Sequence, residues 1–206
     1  MDQKKLTVLF ILLVSLFISS CVWGPSVKGN GNVIEEQRKT GSFDEIKVTR
    51  GINVYITQGE TPKIIVEADE NLIKYIETRI EDNTLKITTS ANIRNSKAKK
   101  VFVTVTGISG IHSSAGSNVY SETEISGDEL DISSSAGSNI KLSVNTRKLD
   151  VSANAGSNIF LEGNSGKISA KASSGANIKA EELTTDECEA RASSGANIWI
   201  TVKNDF

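Results

Sequence analysis

The sequence predicts an all-β fold, a single-stranded parallel β-helix or β-roll solenoid with rungs of about 20 residues. Three observations predict it. One phrase is written five times: "SSAGSNVY" from Ser113, "SSAGSNIK" from Ser134, "ANAGSNIF" from Ala153, "ASSGANIK" from Ala172 and "ASSGANIW" from Ala192. The marker glycines Gly116, Gly137, Gly156, Gly175 and Gly195 are separated by 21, 19, 19 and 20 residues, a period at which each repeat buries its face only against its neighbours. Apolar residues also alternate with a spacing of two on both sides of each phrase, the period of a half-buried strand. Val119, Ile140, Ile159, Ile178 and Ile198 follow the glycines by three, and Ile111, Ile132, Val151, Ala170 and Ala190 precede them by five. Helical repeats need longer units, and the leucine spacing of leucine-rich repeats is absent.

From the N-terminus, residues 1–20 read as a lipoprotein signal peptide. Lys4 and Lys5 precede an apolar run from Leu6 to Ile18 that is short for a membrane span, and small residues follow it. Ile18-Ser19-Ser20-Cys21 resembles a bacterial lipobox, which would make Cys21 the lipidated first residue of the mature chain. Several acyl chains, at about 0.8 kcal/mol per buried methylene, would hold the protein to a membrane. Residues 21–41, with the Gly-rich "VWGPSVKGNGN", read as a flexible linker, and residues 42–206 as one β-helical domain. If Cys21 carries lipid, Cys188 has no intramolecular partner, and burial and backbone pairing must hold the chain together. Cys188 shares an offset with Leu149 and Ile168, which predicts a small buried hydrophobe.

The front half is less regular. In "KVTRGINVYI", Gly51, Asn53, Val54 and Ile56 match the phrase offsets, and Gly51 lies 65 residues before Gly116, close to three periods. "SANI" at Ser90 reads as another worn copy. "ENLIKYIETRI" reads as one helical turn running into a strand, and "EDNTLKI" as a turn into a strand. "KKVFVTVT" reads as a strand with Val101, Val103 and Val105 inward.

The phrase itself reads as a corner. Ala or Ser stands one and three residues before each glycine, as a tight inside bend requires, and glycine tolerates positive φ. Two residues after it stand Asn118, Asn139, Asn158, Asn177 and Asn197, spaced to form a ladder of side-chain amides if the rungs stack. Looser second corners fall at Thr106, Ile125, Val144, Glu162 and Leu183.

Function must lie on the outward positions. Tyr55, Tyr120, Lys141, Phe160, Lys179 and Trp199 share one offset and predict an aromatic and cationic stripe, able to contact sugar rings or a protein partner. Asp131 and Asp150 fall one rung apart, the spacing of a carboxylate pair in a retaining glycosidase, but on a flat wall with no cleft to raise a pKa. His112 is the only histidine, so a histidine metal cluster has no ligands, and nothing around it resembles a nucleophile elbow. No phosphate loop, calcium repeat or cofactor motif is present. A net charge of -2 gives no basic face for nucleic acid.

"RGINVYI" at Arg50, followed by glycine-serine-asparagine repeats behind a lipoprotein signal, resembles the head GIN domain family of auto-transporter adhesins. The resemblance covers about Phe43 to Val202 and implies a β-helical, secreted or lipid-anchored protein of the Bacteroidetes type. The resemblance leaves the role open; the repeated wall without a catalytic constellation points to a non-enzymatic envelope protein, for adhesion or binding of glycan or protein, with no cofactor. The family pattern continues in further Gly/Ser-rich rungs. A chain stopping at Phe206 is therefore expected either to be shortened or to offer a rung edge to a partner, including a second copy. The residues after Cys21 lack the acidic cluster of surface-exported Bacteroidetes lipoproteins, which points to the periplasmic face of the outer membrane.

Overall fold

The computed structural model describes residues 26–203. The signal peptide, Cys21 and Phe206 lie outside the described residues. In chain order the strands are β1 (Ser26–Lys28), β2 (Val33–Arg38), β3 (Glu45–Val48), β4 (Asn53–Gln58), β5 (Lys63–Asp69), β6 (Ile76–Glu81), β7 (Thr84–Thr89) and β8 (Asn92–Arg94). They continue with β9 (Lys99–Val105), β10 (Gly110–Ser113), β11 (Asn118–Ser121) and β12 (Ile125–Ser134). The long strands β13 (Asn139–Ala153), β14 (Asn158–Ala172) and β15 (Asn177–Ala192) follow, then β16 (Asn197–Val202). One 3-10 turn, Ile73–Tyr75, precedes β6.

The strands form two walls joined at the glycine corners. The approach wall runs into the corners and has the order β6, β7, β3, β10, β12, followed by the second halves of β13, β14 and β15. The exit wall leaves them and has the order β2, β5, β9, β4, β11, followed by the first halves of β13, β14 and β15 and then β16. Registers place like over like. Val54, Val119, Ile140, Ile159, Ile178 and Ile198 form one column, and Ile46, Ile111, Ile132, Val151, Ala170 and Ala190 another. Ile140, Ile159 and Ile178 are fully buried. The core is thus a stack of aliphatic layers, each worth several kcal/mol against truncation.

Each corner puts two consecutive residues at positive φ, the pattern of a type I′ turn. Ala136 has φ 50° and Gly137 φ 71°, and the other four phrases and Arg50–Gly51 repeat these values closely. The residue before the glycine points outward and is exposed, so its small size is not an inside-packing requirement; Arg50 occupies that place in the first copy. The buried corner positions are those three before and one after the glycine, such as Ser134 and Ser138. The Ser138 hydroxyl donates to the Ser113 carbonyl of the rung below at 2.9 Å.

Three expectations are corrected. Gly51 is not three rungs from Gly116 but one: β4 pairs directly with β11, Asn53 opposite Asn118. The intervening residues instead build antiparallel pairs, β5 with β9 and β6 with β7, while "SANI" ends in the short strand β8 that pairs with β1. The segment expected to be a flexible linker contains β1 and β2, and β2 pairs antiparallel with β5 along its whole length. Cys188 does stack on Ile168, but it is exposed, because no further rung covers the approach-wall half of β15 among the described residues.

Candidate functional site

Because the offset of Tyr120 recurs on every rung, its column runs up the outer face of the exit wall: Phe102, Tyr55, Tyr120, Lys141, Phe160, Lys179, Trp199. Phe102 was not singled out from the sequence, because β9 carries no corner phrase to set its offset. The rings are not equally available. Tyr55 is stacked between Phe102 and Tyr120, with centroids 5.2 and 5.3 Å away. Those faces are consumed by ladder packing. The Lys179 ammonium sits between Phe160 and Trp199, 5.3 and 5.7 Å from their centroids, in cation–π contact with both. Trp199 is 40 % exposed.

Between these two stacks the column has a gap. The upper face of Tyr120 and the lower face of Phe160 stand two strand spacings apart, about 9.6 Å, with exposed Lys141 between them. A groove of about 470 Å³ opens there, lined also by Leu142, Glu162, Glu181 and Glu182. It combines apolar ring faces, two cations, Lys141 and Lys179, and a carboxylate rim, the equipment for a hydroxylated ring ligand.

Beside the stripe, at the corner, the amides of Asn53, Asn118, Asn139, Asn158, Asn177 and Asn197 form one chain of hydrogen bonds. Each Nδ2 donates to the Oδ1 of the rung below at 2.8 to 3.0 Å. All point the same way, so the ladder fixes register; each Nδ2 keeps a second hydrogen, and Asn139 also lines the groove.

The approach wall carries the carboxylates. Asp131 and Asp150 are register partners, and Asp150 is bound by Lys148 at 3.1 Å. Partial desolvation raises the Asp131 carboxyl above its ordinary value; His112 opposes this, and Asp150 and Glu45 add to it. The flat wall was expected to leave this pKa alone, yet more than half of the side chain still meets solvent. Sequence reasoning missed a neighbouring cluster. His112 Nδ1 lies 2.6 Å from Ser133 Oγ, and its Nε2 lies 3.9 Å from Glu45. A Cβ at Gly110 would meet the Glu45 side chain at 2.9 Å and His112 Nε2 at 3.1 Å, so the missing side chain makes room for them. The signal was present: His112 and Ser133 share the offset four before their glycines. The neighbouring amides of Ser114, Asp131 and Ser135 are all bonded to carbonyls of the adjacent rung, so they do not form an oxyanion hole there. Among the described residues, no group of three or more His, Cys, Asp or Glu side chains could hold a metal ion.

Fold and surface together define a two-walled parallel β-solenoid with an aromatic and cationic column on one outer wall. The chain belongs to the family described as "Putative auto-transporter adhesin, head GIN domain", which matches residues 42–206. Solved structures share the fold. A crystal structure titled a putative adhesin from Bacteroides fragilis NCTC 9343 is 24% identical with a TM-score of 0.78, over 84% of this chain and 81% of that one. Another from Parabacteroides merdae ATCC 43184 is 21% identical with a TM-score of 0.72, over 86% and 84%. A third, titled a putative lipid binding protein from Parabacteroides distasonis ATCC 8503, is 19% identical with a TM-score of 0.68, over 85% and 84%. Among curated proteins, none matches this sequence.

Proposed function

We propose that this chain is a non-enzymatic, lipid-anchored protein of the outer membrane whose solenoid presents a rigid binding face for adhesion, with a glycan or an envelope protein as ligand. The carrying observation is the groove over Lys141, where Tyr120 and Phe160 turn their free ring faces toward each other. Its carboxylates can accept from ligand hydroxyls and Lys141 can donate to them. The family membership supports an adhesin-type envelope role. Binding of the full-length protein to an array of bacterial glycans and envelope proteins tests this. The variant Y120A/F160A/W199A is expected to lose at least about tenfold in affinity, from removal of stacking contacts. Unchanged binding by a folded triple variant contradicts the proposal. Protease treatment of whole cells tests placement: survival of the protein fits the periplasmic face.

A second reading, polysaccharide cleavage, draws on the raised pKa of Asp131 beside Asp150, which Lys148 contacts at 3.1 Å. New reducing ends from a polysaccharide, abolished by D131N, would establish it; no product from any substrate removes it. Self-association is supported by the outer edge of β16, which pairs only with β15 among the described residues. Sedimentation at rising concentration tests it.

A further inference from the structure

We propose that the strand pair β1–β8 is the face this protein turns toward the bilayer, with Lys28, Arg94 and Lys97 resting on anionic lipid headgroups. This inference rests on the reading that Cys21 carries the lipid.

The tether sets the first condition. Five Cα–Cα links separate Cys21 from Ser26, a reach of at most about 18 Å when fully extended. Ser26 is already in strand β1. Ser26, Val27 and Lys28 pair in register with Asn92, Ile93 and Arg94, and Val27 and Ile93 pack against the core. The next residues are bolted down by Asp69, a buried carboxylate that accepts from the amides of Gly31 at 2.8 Å and of Lys97 and Ala98 at 2.9 Å. The Gly29 amide adds a bond to the Asn95 carbonyl at 3.1 Å, and a Cβ at Gly29 would fall 2.0 Å from the Asp69 carboxylate. No slack remains between the strand and the head. The headgroup layer takes about 5–7 Å of the tether's reach, so β1 must lie close against the lipid surface.

Charge sets the second condition. Lys28 and Arg94 are register partners, one strand spacing apart, and Lys97 follows in the same loop. All three are exposed, and none of their side-chain cationic groups has a carboxylate within 4.0 Å among the described residues. Many other cations are paired, as Lys100 is with Glu67 at 2.8 Å and Lys167 with Glu187 at 3.0 Å. The local acids are already engaged: Asp69 by backbone amides, Glu70 by the Asn32 side chain at 3.0 Å. These bonds from neutral amides leave both carboxylates charged, but Asp69 is buried, so three exposed cations face one exposed carboxylate, Glu70, and the surface is net positive. The tether holds it near the one Debye length, about 8–10 Å, over which a membrane's charge acts. An anionic lipid surface is the occupant that satisfies both conditions.

The test uses the full-length acylated protein in vesicles, with the acyl mass on Cys21 checked first. Amide hydrogen exchange is compared between vesicles containing phosphatidylglycerol and vesicles of phosphatidylcholine alone. The expected result is at least a threefold slowing of exchange across residues 28–32 and 92–97 with the anionic lipid, and none across residues 190–200. Added salt weakens it, and K28Q/R94Q/K97Q removes it. R94Q alone, a change on an exposed side chain, gives a partial effect should the triple variant misfold. Acylated protein whose exchange is indifferent to the lipid overturns the docking face and leaves the anchor standing. A Cys21 without lipid overturns both.

Discussion

The two halves of this molecule reach the same corner by different routes. From Gly110 onward each rung repeats the last, and paired strand residues stack on counterparts 19 to 21 positions away, except Thr184 and Thr185, whose partners Thr201 and Val202 lie 17 away. Before that, the Arg50–Gly51 corner has the same backbone angles and supplies the first asparagine of the ladder, yet 65 residues separate it from the next corner. Those residues, together with β2 from before the corner, cap the stack. β5 and β2 close the exit wall with antiparallel pairing, and β6 closes the approach wall. The other end is uncapped among the described residues, and Ile198 and Ile200 there are only half-buried. A solenoid's stability is a sum of nearest-neighbour interfaces, so its layers should weaken from the capped end to the open one.

Substitutions sharpen that contrast. Ile140→Ala, in a fully buried layer, should cost about 4 kcal/mol, and Ile198→Ala, in the half-covered last layer, about 1 kcal/mol. Urea denaturation measures both, and equal losses would mean that the last rung is covered. Two glycines test corners of different kinds. At Gly163, φ is 108° and a Cβ would sit 2.1 Å from the Val144 carbonyl oxygen; at Gly137 nothing lies within 4 Å. G163A should therefore cost about 3 kcal/mol by overpacking, and G137A about 1 kcal/mol from its left-handed backbone alone.

In the cap, Asp69→Asn should cost about 2 kcal/mol, because three backbone amides lose a charged acceptor. It also predicts a pH dependence. Burial raises the Asp69 carboxyl, but the amides of Ala98, Gly31 and Lys97 together outweigh it and hold the folded-state pKa below the ordinary value. A depressed carboxylate pKa contributes stability that is complete above the unfolded value, about 3.9, and is lost as pH falls through the folded value. Acid titration of the wild type should show this loss below about pH 4, and the asparagine variant should lack that component. The smallest expected effect lies in the ladder. Asn158→Ala leaves Asn139 and Asn177 each short of one partner and should cost about 1 kcal/mol, while Asn197→Ala, at the exposed end, should cost a few tenths.

What was legible in the sequence follows the same division. A repeat states its own register, so the rungs and the inward isoleucines follow from counting; the second corners expected at Val144, Glu162 and Leu183 are instead passed within the continuous strands β13, β14 and β15. The 3-10 turn at Ile73 and the inward valines of β9 follow from local alternation. Antiparallel pairing between segments about 35 residues apart leaves no period to count, so β2 read as linker and the excursion read as worn rungs. The number 65 misled because a detour and three rungs have the same length. Parity placed Cys188 in its column, but exposure depends on what lies above, which no single strand encodes. The Asp69 knot joins three chain segments, the end of β5 and the loops around Gly31 and Lys97, and the His112–Ser133–Glu45 cluster joins three strands. Each is visible only once the topology is known.

The most direct test of rung-on-rung stacking is the exchange of the corner glycine amides, read by NMR. The amides of Gly116, Gly137, Gly156 and Gly175 each donate at 3.1 Å to the corner carbonyl of the following rung, whereas beyond Gly195 the described chain offers no such carbonyl. The first four should exchange slowly and Gly195 at close to the rate of an open turn. Five corner amides exchanging alike would contradict the stack.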